Sequence, residues 1–478
     1  MQWTRTVLPE EKEPTPPHWW LYPAAFVISF LLFGILTYLM AEGASLPSDA
    51  VLLKGFVLPS AFCGMAVVML VIQSYITKWE SYSFRSAFIE VKKSEWQYWG
   101  RASIRITACS QYIPVEDLTD RILGSSSDMS LNPNTAMTLK GVPQDALHQY
   151  SLSFILNKLI EPMLDEIGGV QKPLTLHFYS SESEVIARSA LRQTLERYQL
   201  RAIRMEDIHF LTEVPDYQTV YEWQEESPSE CHLIVMVDFH RGVTSDKTDG
   251  AVSLLLNADD GRGVKENDVY LFRPLKAMES ELNRSLTDFL AVEQVKGSEN
   301  IHLWTANLDD KTSKLLIERV ASASPKRSIS SITSMNVCLG NISPVHIWCG
   351  VVCAVESARR QAANSLIVQK TGENVGCVQI SQAPSKAPDN SSYGPSAMGY
   401  CYSVMGIVSS LLGFILFTDA YGGLARFGWW IVGFAVASAI LALVTFLLRF
   451  YVLRNQCQDE WNMAQSRMGY VAKDVEYV

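Results

Sequence analysis

The chain has 478 residues, of which 48% are hydrophobic and 19% charged. This is apolar for a soluble protein of that length, which is enough for two or three ordinary domains. A net charge of −10 and the lack of a basic stripe interleaved with aromatics argue against a nucleic-acid partner. Nine cysteines without paired spacing indicate a reducing compartment rather than a disulfide framework.

Two pairs of uncharged segments predict membrane-spanning helices. Each segment is close to the ~20 apolar residues that cross a bilayer as a helix. Buried core helices are the alternative, but two such segments at each end of the chain favour membrane spans. The first is not a cleaved signal peptide, because the residues before it are many and acidic. We therefore predict a hairpin at 19–77, with spans 19–41 and 55–77, and a second at 397–448, with spans 397–418 and 427–448.

Lysine and arginine near the spans predict the orientation. The loops 42–54 and 419–426 hold only Lys54 and Arg426, whereas many basic residues follow the second and fourth spans. By the positive-inside rule, the N-terminal tail 1–18, the central region and the C-terminal tail 449–478 are cytoplasmic. The spans hold no internal charge, which argues against a proton or ion path.

The central region alternates between strand-like and helix-like patterns. An amphipathic connector, 78–99, leads from the membrane, and a Pro/Ser-rich linker, 382–396, returns to it. Between them, 100–381 forms an α/β domain with helices covering sheet faces. The helix at 181–200 opens with Ser181 and Glu184 in capping-box spacing. Strands are predicted at 102–112, 173–180, 231–239, 250–275 (two strands), 301–306, 334–340 and near 365 and 377, and helices at 145–167, 181–200, 276–292, 311–322 and 345–362.

Three segments resemble β-ketoacyl synthases of the thiolase-like family. They are TDGAVSLLLN (248–257), IHLWTANLDD (301–310) and GNISPVHIWCG (340–350), the last with Gly350 at a family glycine position. The resemblance implies a layered α/β domain with helices packed on mixed sheets. It also implies a cysteine nucleophile at a helix N-terminus and two histidines.

The catalytic positions of that family are altered in this chain. No cysteine lies between Cys109 and Cys231, so the nucleophile position is empty. Leu303 and Trp304 stand where histidine and glycine belong, with His302 one place off. Asn341 and Ile342 fit the next motif, but Ser343 and Pro344 replace its glycine and histidine. We therefore predict no catalytic residue and a degenerate domain that is not an enzyme.

Two other groups of residues could carry chemistry. His346, Cys349 and Cys353 lie on one helical face, with Cys338 a weak fourth ligand for a metal. Buried core packing is the favoured reading, because free cysteines are often buried. Asp238, His240 and Arg241 end a buried strand, where α/β sites gather, although a loop of mixed charge is the commoner explanation. We predict no metal, cofactor or cofactor-binding residue.

The predicted function is a non-catalytic, membrane-anchored adaptor or scaffold in the bacterial inner membrane. Its partners would be a cytoplasmic protein and the lipid bilayer. The chain could also pair with a second copy of itself as a homodimer. The layout also resembles adaptors that load effectors onto the type VI secretion apparatus, which implies a secreted effector as the partner. The alternatives are a membrane-bound acyltransferase or ketosynthase-like enzyme, and a membrane sensor that binds an acyl-type ligand.

Overall fold

The computed structural model describes most of the chain. The described residues are 3, 5–9, 11–40, 49–123, 135–143, 147–170, 172–200, 203, 205–240, 246–258, 268–295, 300–323, 328–361, 363–385, 398–420, 436–438, 440, 443–444, 447–449 and 451–466. They fall into two compact units: Met1–Arg5 with Glu95–Pro388, the α/β unit, and Thr6–Ser94 with Asp389–Val478, the helical unit.

The regular elements are numbered in chain order. The helices are α1 Leu21–Met40, α2 Asp49–Leu52, α3 Leu58–Gly100, α4 Leu118–Ile122, α5 His148–Ile160, α6 Leu164–Gly168, α7 Glu184–Arg197, α8 Tyr217–Glu226, α9 Leu282–Ala291, α10 Asp310–Ala323, α11 Met335–Leu339, α12 Val345–Gln361 and α13 Met398–Ala420. The strands are β1 Ser103–Tyr112, β2 Leu174–Ser180, β3 Ile208–Leu211, β4 Cys231–Asp238, β5 Gly250–Ala258, β6 Val269–Phe272, β7 Leu275–Met278, β8 Asn300–Ala306, β9 Ser328–Ser334, β10 Asn364–Thr371 and β11 Asn374–Ser381.

The helical unit holds the apolar helices. Among the described residues, the helical stretches Leu21–Leu39 and Leu53–Gly100 are long and apolar enough to cross a membrane, and Val404–Leu416 is a shorter apolar stretch. The predicted fourth span, 427–448, lies largely outside the described residues. Helix α3 contains residues 58–77 of the predicted second span and the whole connector without a break, and no proline follows Pro59 before Gly100.

Ion pairs mark the two ends of the helical unit. At one end, Lys54 Nζ lies 3.3 Å from Asp419, next to the predicted loops. At the other end, Arg85 pairs with Glu460 at 2.9 Å, and Arg449 donates to Ser81 Oγ at 2.9 Å. The end of the first predicted loop and the beginning of the second therefore lie together.

The sheet of the α/β unit consists of two halves with the same topology. In the first half the order is β3-β2-β4-β5-β1, and in the second it is β9-β8-β10-β11-β6, with β7 also on β11. In each half three strands are parallel, and the last two alternate in direction. The halves join where β1 and β6 pair antiparallel. The sheet is large and mixed, and helices cover it, so the predicted α/β class is confirmed.

The helices form three layers around these halves. Helices α5 and α7 pack on the outer face of the first half, and α9 and α10 on the outer face of the second. Helices α8 and α12 lie in the central core with residues from both halves. Strand β4 shows why the sequence folds this way: Leu233 and Val235 face the outer core, while Ile234 and Met236 face the central one. The continuous apolar run of β4 is thus buried on both faces, as predicted.

Three local predictions are wrong. The capping box at Ser181 does not form: its hydroxyl bridges the backbone of Phe239, and Ser183 caps α7 without a side-chain bond. The helix predicted from 276 begins at Leu282, because 275–278 pair with β11 as β7. The strand predicted at 334–340 is helix α11, and the strand β9 precedes it.

Candidate functional site

The two central helices begin beside each other. Tyr217, the first residue of α8, directs its hydroxyl to the carbonyl oxygen of Ile347 at 3.5 Å. Trp348 of α12 donates from Nε1 to the carbonyl oxygen of Pro215 at 2.9 Å. The two rings meet edge to face, with centroids 5.1 Å apart. These reciprocal contacts fix the N-termini of both helices in one place.

A cavity of about 360 Å³ opens where these N-termini meet. Its floor is apolar and aromatic, and its rim carries polar and charged side chains. The described lining residues are Tyr179, Thr212, Glu213, Val214, Pro215, Asp216, Tyr217, Gln218, Leu275, Lys276, Pro344, Ile347, Trp348, Gln369, Thr371, Asn374 and Gly376. We refer to it as the central cavity.

A carboxylate occupies the N-terminus of α8 at the edge of the cavity. Asp216 Oδ1 accepts from the backbone N–H of Thr219 at 2.8 Å, which makes it the N-cap. Its Oδ2 accepts from Lys276 Nζ at 2.7 Å. Burial alone would raise the pKa of Asp216, but the hydrogen bonds from Lys276 and Thr219 outweigh it and lower the pKa below its usual value. The positive end of the helix dipole is therefore already matched by a negative charge.

Gln369 supplies an unused acceptor in the cavity wall. The residue is 5% exposed, and its Oε1 is buried with no hydrogen-bond partner among the residues that the structure describes. A buried acceptor without a partner costs roughly 1–3 kcal/mol. A bound molecule could satisfy this acceptor only after the Gln369 amide turned toward the cavity, because its Oε1 is closed off from solvent.

No thiol lines the described part of the central cavity. Helix α8, whose N-terminus lies there, begins at Tyr217 after its N-cap Asp216, and none of the described lining residues is a cysteine or a histidine. Cys109 lies in β1 and Cys231 in β4, and burial raises the pKa of both thiols, that of Cys109 to about 12. Burial also raises the pKa of Tyr217 well above its usual value.

The histidine nearest the second catalytic motif is a sheet residue. His302 lies in β8, where its Nε2 is 2.8 Å from Thr333 Oγ1 and its ring stacks on Trp304. Leu303 points to the opposite, outer core. Burial lowers the pKa of His302 to about 4, so the ring is neutral at neutral pH. His302, Leu303 and Trp304 are all absent from the lining of the central cavity.

The third motif is divided between the cavity and the core. Pro344 lines the cavity, whereas Ser343 is fully buried with its Oγ 3.0 Å from His346 Nδ1. Asn341 donates from its backbone N–H to Thr135 and accepts at its carbonyl from Thr248. The motif therefore anchors the start of α12 to neighbouring loops.

The histidine and cysteines of α12 are core residues. His346 Nδ1 accepts from the backbone N–H of Ser343 at 3.1 Å, so its Nε2 carries the proton and donates to the carbonyl of Asp249 at 3.2 Å. Burial lowers its pKa to about 4. Cys349 and Cys353 are fully buried, and burial raises the pKa of both thiols.

A metal site on this helix is not supported. Cys338 is also buried, with its pKa raised to about 11. Among the described residues, no group of three or more histidine, cysteine or acidic side chains could hold a metal ion.

The residues at the end of β4 form a polar cluster with β5. His240 places Nδ1 3.3 Å from Asp249 Oδ1 and Nε2 3.5 Å from Asp238 Oδ1. Asp249 also accepts from the backbone N–H groups of His240 and Leu139. Burial raises the pKa of Asp249, although these hydrogen bonds act to lower it. Arg241 lies outside the described residues. The cluster joins two strand ends and a loop and does not line the central cavity.

Apart from Pro344, the sequence patterns missed the polar and aromatic residues that line the cavity. Asp216, Tyr217, Lys276, Trp348 and Gln369 come from four separate elements. Only one local signal was available: Pro215 and Asp216 before an amphipathic stretch are typical of a helix start. The remaining residues meet only through the sheet topology.

No protein-family model matches the chain, and no curated protein matches it. Solved structures similar to its fold include a chain of the AntDE:AntF complex, a type II PKS acyl-carrier protein with its ketosynthase bound to the hexaketide. It is 10% identical and covers 59% of this chain and 99% of its own, at a TM-score of 0.42.

Two bacterial enzymes give similar values. A cerulenin complex of OleA from Xanthomonas campestris is 12% identical over 58% of this chain and 96% of its own, at a TM-score of 0.37. The 3-oxoacyl-(acyl carrier protein) synthase III FabH of Xanthomonas oryzae is 9% identical over 58% and 98%, also at 0.37. These values carry no inference about activity or ligands.

Proposed function

We propose that the chain is a non-catalytic adaptor that anchors in a membrane and binds a protein partner through its α/β unit. The observation that carries the proposal is the central cavity. Two helix N-termini converge there, yet Asp216 caps one and Pro344 precedes the other, and no described lining residue is a cysteine or histidine.

Binding suits this cavity better than reaction. Condensing chemistry of the kind the resemblance implies needs a thiolate, and a reactive cysteine has a lowered pKa. Each described cysteine with a resolved pKa shift has a raised pKa. The cavity offers an apolar floor, the Asp216–Lys276 pair at its rim and the amide side chain of Gln369 in its wall. A peptide segment supplies an apolar side chain and backbone N–H groups for these features.

The helical unit supports the membrane anchor. In α1, apolar side chains such as Ile28 and Leu31 are 65% and 63% exposed, which water would penalise and lipid would not. The Lys54–Asp419 pair supports two hairpins whose loops emerge on one side. The anchor then holds four spans in a bacterial inner membrane, with both tails and the α/β unit in the cytoplasm. The layout supports a secreted effector, such as one delivered by type VI secretion, as the partner.

Site-specific crosslinking in the native cells tests the proposal. A photocrosslinking amino acid replaces Lys276 or Asn374, both exposed at the cavity, or Arg192, 71% exposed on α7 in an outer layer. We expect one discrete protein adduct from the two cavity positions and none from position 192. Equal crosslinking from all three positions would contradict the proposal.

Two buried glutamines provide a matched pair of variants. Gln369 and Gln379 are each 5% exposed, and the buried Oε1 of each has no partner in the described part of the chain. Of these two residues, Gln369 lines the cavity and Gln379 does not. Gln369→Leu is expected to weaken the crosslink several-fold, whereas Gln379→Leu leaves it unchanged. Covalent labelling of any cysteine by an acyl-thioester probe would instead favour the enzyme.

A further inference from the structure

The N-terminus of the chain inserts a tryptophan into the α/β unit. Trp3 is 9% exposed, and its Nε1 donates to the carbonyl oxygen of Pro274 at 2.7 Å. Its ring centroid lies 5.1 Å from that of Trp99 and 4.9 Å from that of Phe289, the latter edge to face. Trp3 is therefore held as tightly as a core residue.

The pocket around this indole is built by regular elements of the α/β unit. Trp99 and Gly100 end α3, Phe289 lies in α9, and Pro274 separates β6 from β7. Gly100 leaves the necessary space, because a Cβ there would lie 3.4 Å from Trp3 Cζ3 and 2.9 Å from Val292 Cγ1. We call this set of residues the Trp3 pocket. Its walls belong to helices and strands and are part of one core cluster with Trp3.

The segment that fills the pocket is short. Thr6–Ser94 belongs to the helical unit, so only residues up to Arg5 accompany the α/β unit before Glu95. Besides Trp3, Arg5 binds through its backbone N–H, which donates to Asp288 Oδ2 at 2.9 Å. This donor lies two residues after the tryptophan and belongs to the main chain, and the positive charge of Arg5 adds a favourable interaction with the Asp288 carboxylate.

We propose that the Trp3 pocket is a peptide-binding site whose resident ligand is the N-terminal segment, and that other tryptophan-bearing segments exchange with it. The recognised pattern is a tryptophan followed, two residues later, by a free backbone N–H. The indole fills the aromatic walls and donates to Pro274, and the N–H reaches Asp288. Buried tryptophans of this kind dominate the affinity of protein interfaces. The inference does not depend on what the central cavity binds.

Peptide exchange on the full-length chain in detergent tests the proposal. The probe is a fluorescent peptide of residues 1–8, MQWTRTVL, and anisotropy reports its binding. The Trp3→Ala chain, with its pocket vacated, is expected to bind the peptide. The wild-type chain should bind at least about tenfold more weakly, because its own Trp3 competes for the pocket.

Peptide variants identify the recognised atoms. A Trp3→Ala peptide should bind the Trp3→Ala chain at least about 30-fold more weakly, as expected for a dominant interface residue. A Trp3→Phe peptide keeps a ring but loses the indole N–H, and should lose roughly 3- to 10-fold. Adding Asp288→Ala to the Trp3→Ala chain should weaken binding of the unmodified peptide by a similar factor.

Three results would overturn the proposal. They are no peptide binding by a Trp3→Ala chain that circular dichroism and gel filtration show to be folded, equal binding by the wild-type and Trp3→Ala chains, and undiminished binding of the Trp3→Ala peptide.

Discussion

At the scale of single residues, His346 and Gly250 share a space that admits no further atom. A Cβ on Gly250 would lie 2.6 Å from His346 Nε2, and the imidazole is fully buried and hydrogen-bonded at both nitrogens. We expect Gly250→Ala to lower the free energy of unfolding by about 1–3 kcal/mol, as overpacked cores do. Thermal unfolding of the full chain in detergent measures this change.

The partner and a control make this prediction specific. In Gly250→Ala/His346→Ala the added methyl group has room, so the double variant should lose less stability than the sum of the single ones. Gly350→Ala is the control, because its Cβ would contact Met335 at an ordinary 3.8 Å. Additive losses, or equal losses at Gly250 and Gly350, would contradict the close contact.

A pair of buried histidines predicts sensitivity to acid. His177 Nε2 and His232 Nδ1 are 3.1 Å apart on β2 and β4, and Trp223 stacks on His177 at 3.9 Å. Burial, with the neighbouring His232 and His209, lowers the pKa of His177 to about 3. Burial also lowers the pKa of His232, although Glu230 opposes it.

The sign of the effect follows from linkage. An unfolded histidine has a pKa of about 6.5, so between that pH and about 3 the unfolded chain binds protons that the folded chain does not. Stability is therefore complete above pH 6.5 and falls on acidification. At pH 5 the loss from His177 is about 2 kcal/mol.

Replacing one histidine tests this dependence. His177→Phe keeps the ring on Trp223 and removes the titrating group, so the drop in melting temperature from pH 7 to pH 5 should become smaller. His148→Gln, a change at a histidine that is 52% exposed, should leave the drop as in the wild type. An unchanged drop in His177→Phe would be the contrary result.

At the scale of elements, the first turn of α8 depends on its cap. Asp216→Ala removes the bond to the Thr219 N–H and should cost about 1–2 kcal/mol of unfolding free energy. Asp216→Asn keeps an acceptor and loses only the pairing with the half-exposed Lys276, which contributes about 0–1 kcal/mol. Denaturant unfolding of both variants compares them, and equal losses would mean that the charge pair, and not the cap, stabilises the turn.

Element prediction succeeded where periodicity and burial agree. The all-buried β4 and the small-residue helix α12 lie where the sequence predicts them. Prediction failed at 328–339, where β9 is largely exposed and serine-rich and so lacks an apolar pattern. In α11, Met335, Cys338 and Leu339 are buried at helical spacing, but five residues are too few to distinguish a helix from a strand.

At the scale of the whole molecule, reporter fusions test the predicted orientation of the chain in the membrane. Alkaline phosphatase fused after residue 45 should be active, because loop 42–54 is expected outside the cytoplasm. Green fluorescent protein fused after residue 478 should fluoresce, because the C-terminal tail is expected inside. If the C-terminal fusion did not fluoresce and the phosphatase fusion were inactive, the chain would have the opposite orientation in the membrane.

The sequence predicts the α/β class and a central unit between apolar ends, because hydropathy is a local property. The central cavity could not be predicted from the sequence. Lys276 reaches it because β7 pairs with β11, and Gln369 reaches it because β10 pairs with β11 and β8. The position of Trp3 has no local signal either, because a single tryptophan near a terminus has no period.

The repeated topology also sets an order of events on the ribosome. The first half of the sheet is complete within 103–258, so we expect its strands to pair before the second half, 269–381, has been synthesised. Helix α8 then presents Tyr217 and Val220 without α12, whose last residue is Gln361. At ~5–20 residues per second, synthesis of the intervening stretch of about 100 residues takes roughly 5–20 s. During that interval the nascent chain exposes the apolar face that later forms the central core of the α/β unit. We expect a chaperone to bind the chain at this stage.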